Sequence, residues 1–321
     1  MKRRLADLAL FVIAISLLSG LILHSNPAAI AGTLSKADLL FVLPALAITT
    51  LVIGVKIVRW KILLKSIGIG LGSEQIAQPY MASLFVSNIT PGRVGEPIRS
   101  YYLKKSLGHH ISKTLPTVVM ERVMDLSVVV LFCLFGLFYL SSISNPVLLA
   151  GIGVIVLGLV VVTGISLDRK IFNTVLKGSY IILKFVPSIK KLTPKFERIA
   201  NNFHSGFLLA SKSNEMPKLL LITLFAWFLE FSIIKLSFLS IGVNLGYPLI
   251  LSVASLSTIV SLLTLLPGNI GSFEAASAIL MTQALPSMDL ATATSGILVY
   301  RFSSLIFALI ITSGSFLKYQ R

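Results

Sequence analysis

Acidic residues are scarce in this chain. Asp and Glu number 12 among 321 residues, against 28 Lys and Arg, and the four charged types together supply only 12% of the sequence. Soluble domains carry about twice that share of charge. With 55% of residues hydrophobic and a mean hydropathy of +0.91, a fold exposed to water is excluded, and the chain reads as an integral membrane protein. Cysteine is nearly absent: the single Cys133 lies in an apolar run and rules out an intramolecular disulfide. The four histidines, His24, His109, His110 and His204, fall in connecting segments with no Cys or carboxylate at ligand spacing, so no metal site is expected. A Gly-x-Ser-x-Gly elbow, a Walker A loop and an Asp-rich metal motif are all missing, as is any soluble stretch that would house a catalytic domain. The expectation is a protein that is not an enzyme and needs no cofactor.

The net charge of +16 would suggest nucleic acid for a soluble protein. In a membrane protein, basic residues beside apolar spans are the ordinary cytoplasmic bias and meet anionic headgroups, so the expected partner is membrane lipid, with no nucleic acid. Spanning a hydrocarbon core of about 30 Å takes roughly 20 apolar residues in a helix. Segments 5–23, 38–58, 146–167 and 217–242 satisfy that length; 114–140 and 291–317 are long enough but carry charge. Lys2-Arg3-Arg4 before an apolar run, with Ala29-Ile30-Ala31 beyond it, imitates a signal peptide. The run from Leu5 to Leu23 exceeds the usual signal core of roughly 7–15 residues, so it is read as a retained first helix. Counting Lys and Arg in the connections places both termini in the cytoplasm, with Lys56, Arg59, Lys61 and Lys65 delivered to the inner side by helix 38–58.

Residues 76–90 are apolar but span only about 22 Å as a helix, too short to cross. After Pro91-Gly92, residues 97–107 carry Arg99, Lys104 and Lys105, which cannot face lipid. A re-entrant hairpin over 76–107, entering and leaving on the cytoplasmic side, accommodates both facts. The same punctuation recurs 176 residues later: Pro91-Gly92-Arg93-Val94-Gly95-Glu96 against Pro267-Gly268-Asn269-Ile270-Gly271 followed by Glu274. The second hairpin, 248–285, enters from outside if the orientation holds. Interrupted apolar segments at matching places in two oppositely oriented halves are a signature of inverted-repeat transporters with a site near the midplane.

The expected fold is therefore an all-α integral membrane protein of six full transmembrane helices plus two opposed re-entrant helical hairpins forming an inverted repeat. It is one membrane domain, 1–321: a first half 1–167, a cytoplasmic amphipathic linker 168–216 and a second half 217–321. In the linker, Leu192, Phe196, Ile199, Phe203 and Phe207 recur at helical spacing after Thr193 as N-cap and Pro194 as first helical residue. That face either lies on the inner membrane surface or packs on the bundle.

Charge within a bilayer is expensive, so intramembrane ions are functional candidates. Glu121, Arg122 and Asp125, Glu230 with Lys235, Arg301, and the hairpin residues Arg93, Glu96, Arg99, Asn269 and Glu274 form that set, weighed against simple internal ion pairing. The turns themselves rest on Pro91, Gly92, Gly95, Pro267, Gly268 and Gly271. Arginine's planar fork suits phosphate, and a glycine-rich turn lets backbone N–H groups approach an anion, so a phosphate-bearing lipid headgroup is the expected ligand.

Four stretches, "NITPGRVGEPIRSYYLKK", "ERVMD", "LPGNIGSFEAA" and "RWKILLKSIG", together resemble the flippase-like membrane domain of bacterial lysylphosphatidylglycerol synthases, which also occurs alone in archaea and bacteria. The resemblance covers nearly the whole chain. It implies a lipid translocase that works without the soluble synthase domain, for which this sequence leaves no room, and beside a separately encoded lipid- or glycan-modifying enzyme. Where the family commonly has Gly-Gly, this chain has Gly268-Asn269. Two other functions stay open: an accessory protein of envelope glycan or lipid-linked sugar assembly that binds polyprenyl phosphate, and a membrane-embedded transferase. The cell membrane is the expected location.

Overall fold

The computed structural model describes residues 2–93, 95–140, 168–174 and 193–320, with single positions between 153 and 164. Most of the expected span 146–167 and Val94 of the first turn lie outside that description, as do the side chains of residues 1–7, Arg93 and residues 193–199. The described secondary structure is helical: α1 Lys2–His24, α2 Pro27–Leu34, α3 Leu39–Ser66, α4 Ser73–Ile89, α5 Ile98–Leu107, α6 Ile111–Tyr139, α7 Thr193–Ser211, α8 Met216–Ser240, α9 Tyr247–Thr264, α10 Ser272–Ala284, α11 Leu290–Arg301 and α12 Phe307–Gln320.

Local chemistry sets most boundaries. Asp38 caps α3 by accepting from Leu40 N at 2.8 Å, and Asp289 caps α11 by accepting from Thr292 N at 2.9 Å. Asn26 and Pro27 start α2, a short helix between the first two apolar runs; it turns 89° from α1. Four helices are long and apolar enough to cross a membrane: α3, α8, α9 and the continuous run Leu290–Tyr319. The bent pair α1–α2 makes a fifth, so the described residues give four or five candidate spans where six were expected. One of them is α9, which had been assigned to a re-entrant arm. α6 has 29 residues and carries Lys113, Glu121, Arg122 and Asp125.

α3 continues eight residues past the expected end at 58, because Trp60, Leu63 and Leu64 extend its apolar face and are fully buried. That carries Arg59 into the core, 1% exposed, rather than onto a water-exposed surface. α7 packs on the start of α6: Asn202 Nδ2 lies 3.4 Å from Ser112 Oγ, Gly206 fits against Pro116, and Phe207 joins Trp60, Leu64 and Met120 in one apolar cluster. Of the two readings of the linker helix, packing on the bundle therefore holds for the described side chains.

Two helix pairs, α4–α5 and α9–α10, meet at their turns. Gly92 adopts φ 59, ψ 17 and Gly268 adopts φ 57, ψ 11, so the two Pro-Gly breaks share one left-handed conformation. Gly92 N donates to Leu265 O at 3.1 Å, and a Cβ on Gly268 would stand 2.7 Å from Asn88 O. Asn269, beside it, also has φ 57; asparagine tolerates that region better than other L-residues. Packing is exchanged between the pairs, since α4 lies on α12 while α9 lies on α6, and α3 lies on α8 between them.

Gly268→Ala should therefore destabilise the protein by about 1–3 kcal/mol, through a left-handed φ and a backbone collision. Gly314→Ala is the control, because its Cβ would enter open space. Thermal unfolding in detergent checks both, with the second variant expected to melt no lower than the parent.

Candidate functional site

Most of the charged residues singled out from the sequence pair with one another inside the protein. Deepest is a four-member network. Arg59 Nε donates to Glu121 Oε1 at 3.1 Å, while Arg59 Nη1 and Nη2 grip Asp125 Oδ1 and Oδ2 at 2.6 and 3.0 Å; Nη1 also reaches Thr223 Oγ1 at 3.0 Å. Arg99 Nη2 pairs with Glu121 Oε2, and the Arg99 guanidinium lies over the rings of Trp60 and Tyr80, with Cζ 4.7 and 4.9 Å from their centroids. Two guanidinium groups and two carboxylates balance, which is the condition under which buried charge is tolerated. The network ties α3, α5, α6 and α8 together.

The structure buries Arg99 and Glu121, at 3% and 2% exposure, and pairs them with each other. Arg99 Nε is buried without a hydrogen-bond partner, beside a void of about 20 Å³ lined by Arg59, Arg99, Glu121, Asp125, Glu96 and Arg122 among others. That volume suits one water.

Nearer the turns each helix pair has its own clip. Glu96, at the start of the return arm of the first pair, joins Arg122 of α6. Glu274, near the start of α10, accepts from Arg301 Nε at 2.5 Å, and Arg301 Nη2 donates to Gly268 O at 2.7 Å. In both cases a glutamate just past the turn holds an arginine about 26 residues downstream, as the intervals 96 to 122 and 274 to 301 show. Arg301 is followed by a π-helical segment, Phe302–Ile306, whose Ser303 carbonyl accepts from Thr49 Oγ1 of α3 at 3.0 Å. π-Turns inside helices are frequent at functional sites.

A cavity of about 100 Å³ opens between α6, α8 and α9. Arg122, Asp125, Glu230, Asn269 and Arg301, all singled out from the sequence, line it, together with Lys56, Trp227 and Tyr300. A second cavity of about 90 Å³ lies between α3, α4 and the α11–α12 run, lined by Lys56, Asn88, Glu230, Tyr300 and Arg301 among others. Glu96 and Glu274 do not line the first cavity themselves; they hold the two arginines that do. Lys235 stands elsewhere, donating to Leu245 O at 3.1 Å over the ring of Tyr247.

Sequence reasoning missed Lys56 and Arg59, both read as cytoplasmic charges, and Tyr300. A signal for Arg59 was present: Leu63 follows it by one turn on the same face, while Lys61 and Lys65 fall on the other. Among the described residues no group of His, Cys, Asp and Glu is arranged to hold a metal ion.

The family model for the lysylphosphatidylglycerol synthase TM region matches residues 5–312. The chain is also similar to three archaeal proteins described as UPF0104 membrane proteins. One from Methanothermobacter thermautotrophicus is 24% identical over 83% of this chain and 82% of its own length. One from Pyrococcus horikoshii is 26% identical over 74% and 76%, and one from Methanocaldococcus jannaschii is 29% identical over 69% and 88%.

Proposed function

We propose that this chain, which belongs to the lysylphosphatidylglycerol synthase TM-region family, is a flippase-like transporter that moves a polar or anionic lipid across the bilayer without hydrolysing a nucleotide. The observation that carries this reading is the meeting of two like-folded Pro-Gly turns beside a charged cavity. The exchanged packing is what an inverted repeat requires: α3 corresponds to α8, α4–α5 to α9–α10, and α6 to the α11–α12 run. Each half then contributes one interrupted segment that approaches the midplane from its own side, and the headgroup site lies between them.

The orientation that goes with this reading has both termini on the cytoplasmic face of the cell membrane. It is supported by the docking of the chain's end on the first hairpin, where Tyr319 stacks on Tyr102 at 4.3 Å and its carbonyl accepts from Lys105 Nζ at 3.2 Å. Lipid-facing surface on α1, α3, α6 and α8 supplies the path for the acyl chains: Leu8, Leu40, Phe138 and Leu221 are all more than half exposed.

The test is reconstitution of the purified protein into vesicles carrying a trace of a phospholipid with a fluorophore on its headgroup. Addition of a membrane-impermeant quencher should remove fluorescence beyond the outer-leaflet pool, and only in vesicles that contain folded protein. Tight binding of a polyprenyl phosphate with no movement of any phosphate-bearing lipid would favour the accessory role instead.

A further inference from the structure

Two cavities flank one ion pair. Lys56 of α3 and Glu230 of α8 line both of them, and Lys56 Nζ donates to Glu230 Oε1 at 2.9 Å. α3 and α8 are the two helices that pack on each other between the exchanged pairs, so this contact sits at the centre of the arrangement. Nearly equal volumes, about 100 and 90 Å³, flank it, one enclosed by α6 and α9 and the other by α12 and α4. Under the same exchange that relates the helix pairs, each cavity is the counterpart of the other.

The pair is also the clip of the cavity with the fewest hydrogen bonds. Arg301 has two acceptors, Glu274 Oε1 and Gly268 O, and lies over the Phe273 ring at 5.4 Å; moving it would release the second turn. Arg122 is clipped to Glu96 of the first pair. Lys56 and Glu230 hold each other through that one contact, and their side chains are 25% and 22% exposed. An ammonium on a flexible stem reaches into either cavity by rotation alone, whereas a planar guanidinium fixed at two points does not.

We infer that Lys56 is the exchangeable anchor of a phosphate site at the junction of the two cavities, and that Glu230 competes with the phosphate for it. A phosphate monoester or diester entering either cavity takes the Lys56 ammonium from Glu230, and the carboxylate takes it back when the phosphate leaves. Arg122 and Arg301 contribute field and shape, and Asn269 supplies an amide at the wall. This deepens the lipid-transport reading and rests on it: the site would pass a headgroup phosphate from one cavity to its counterpart.

Titrations of the purified full chain in non-ionic detergent test the assignment, with Trp227 in the cavity wall as a fluorescent reporter. The probes are short-chain phosphatidylglycerol, free glycerol phosphate and a diacylglycerol of the same chain length. The lipid should bind tightest and the diacylglycerol should fail to displace it. Lys56→Gln should weaken binding of the phosphate-bearing probe roughly tenfold, the loss of one charge-assisted contact. Glu230→Gln should tighten it, because the competing carboxylate is gone. Opposite signs are the diagnostic, since a purely structural ion pair would make both variants bind worse. Both variants shifting together, or neither shifting while the parent binds, overturns the inference and leaves the transport reading standing. Should Lys56→Gln fail to fold, Lys56→Arg must retain binding and Glu230→Gln alone must still tighten it. A parent protein that binds no phosphate probe overturns the lipid reading itself, and equal affinity for glycerol phosphate and the lipid reassigns the site to a soluble ester.

Discussion

Arg59→Gln should lower stability by about 3–5 kcal/mol, the loss expected when one partner of a buried ion pair is removed and the other charge stays behind. Arg59 is 1% exposed and holds both oxygens of Asp125 as well as one of Glu121. Glutamine fits the space but leaves Asp125 without its guanidinium in a protein interior. Glu121 would still have Arg99, so the damage should centre on the contact between α3 and α6. Arg59→Lys restores the charge without the two-point grip and should recover only part of the loss. Thermal unfolding in detergent, read with elution as a single species, measures both. A glutamine variant that melts with the parent would mean that the four-member network is not what ties α3, α5, α6 and α8 together.

Why was this network invisible in the sequence when the turns were legible? The Pro-Gly breaks announce themselves through local chemistry: a left-handed φ favours glycine or asparagine, and positions 92, 268 and 269 supply those residues. The boundaries of α4, α5, α9 and α10 follow within a few residues for the same reason. A buried arginine has no such mark. Arg59 sits among Lys56, Lys61 and Lys65, and counting basic residues near a span's end assigns all four to one surface. The helical face it shares with Leu63 sets Arg59 apart from Lys61 and Lys65, but that signal is weak without the length of α3 and the burial of Trp60, Leu63 and Leu64, which are tertiary facts.

Charge pairing is half legible. Glu274 and Arg301 both stand inside apolar segments of the second half, where solitary charge is costly, so their pairing is readable. The partner of Glu96 is not, because Arg122 has Glu121 beside it in sequence and Asp125 close by on the same helix. Helical geometry resolves the ambiguity: Glu121 and Asp125 share the face that meets Arg59, and Arg122, about a quarter turn round, meets Glu96. The short α2 shows the reverse failure. Its Asn-Pro start was readable at positions 26 and 27, but eight small and apolar residues between two long spans look like a loop.

Glu96→Gln and Glu274→Gln are each expected to abolish lipid movement in reconstituted vesicles, and the double variant to be little worse than either single. Each carboxylate neutralises an arginine of the larger cavity, Arg122 in one case and Arg301 in the other. Glutamine preserves shape and removes charge, so the arginine loses the carboxylate that holds it to its turn in a partly buried setting. If transport requires the two turns to separate and rejoin in turn, stopping either half stops the cycle, and a second lesion has nothing further to take away. Stability should behave differently. The two clips are separate ion pairs on different helices, so their unfolding losses should add to within about 0.3–0.5 kcal/mol even while their effects on transport do not. Measuring both quantities on the same four proteins separates a coupled transport cycle from two independent structural contacts. Single variants that move lipid at the parental rate, or transport losses that multiply in the double variant, would break the link between the two turns on which the transporter reading stands.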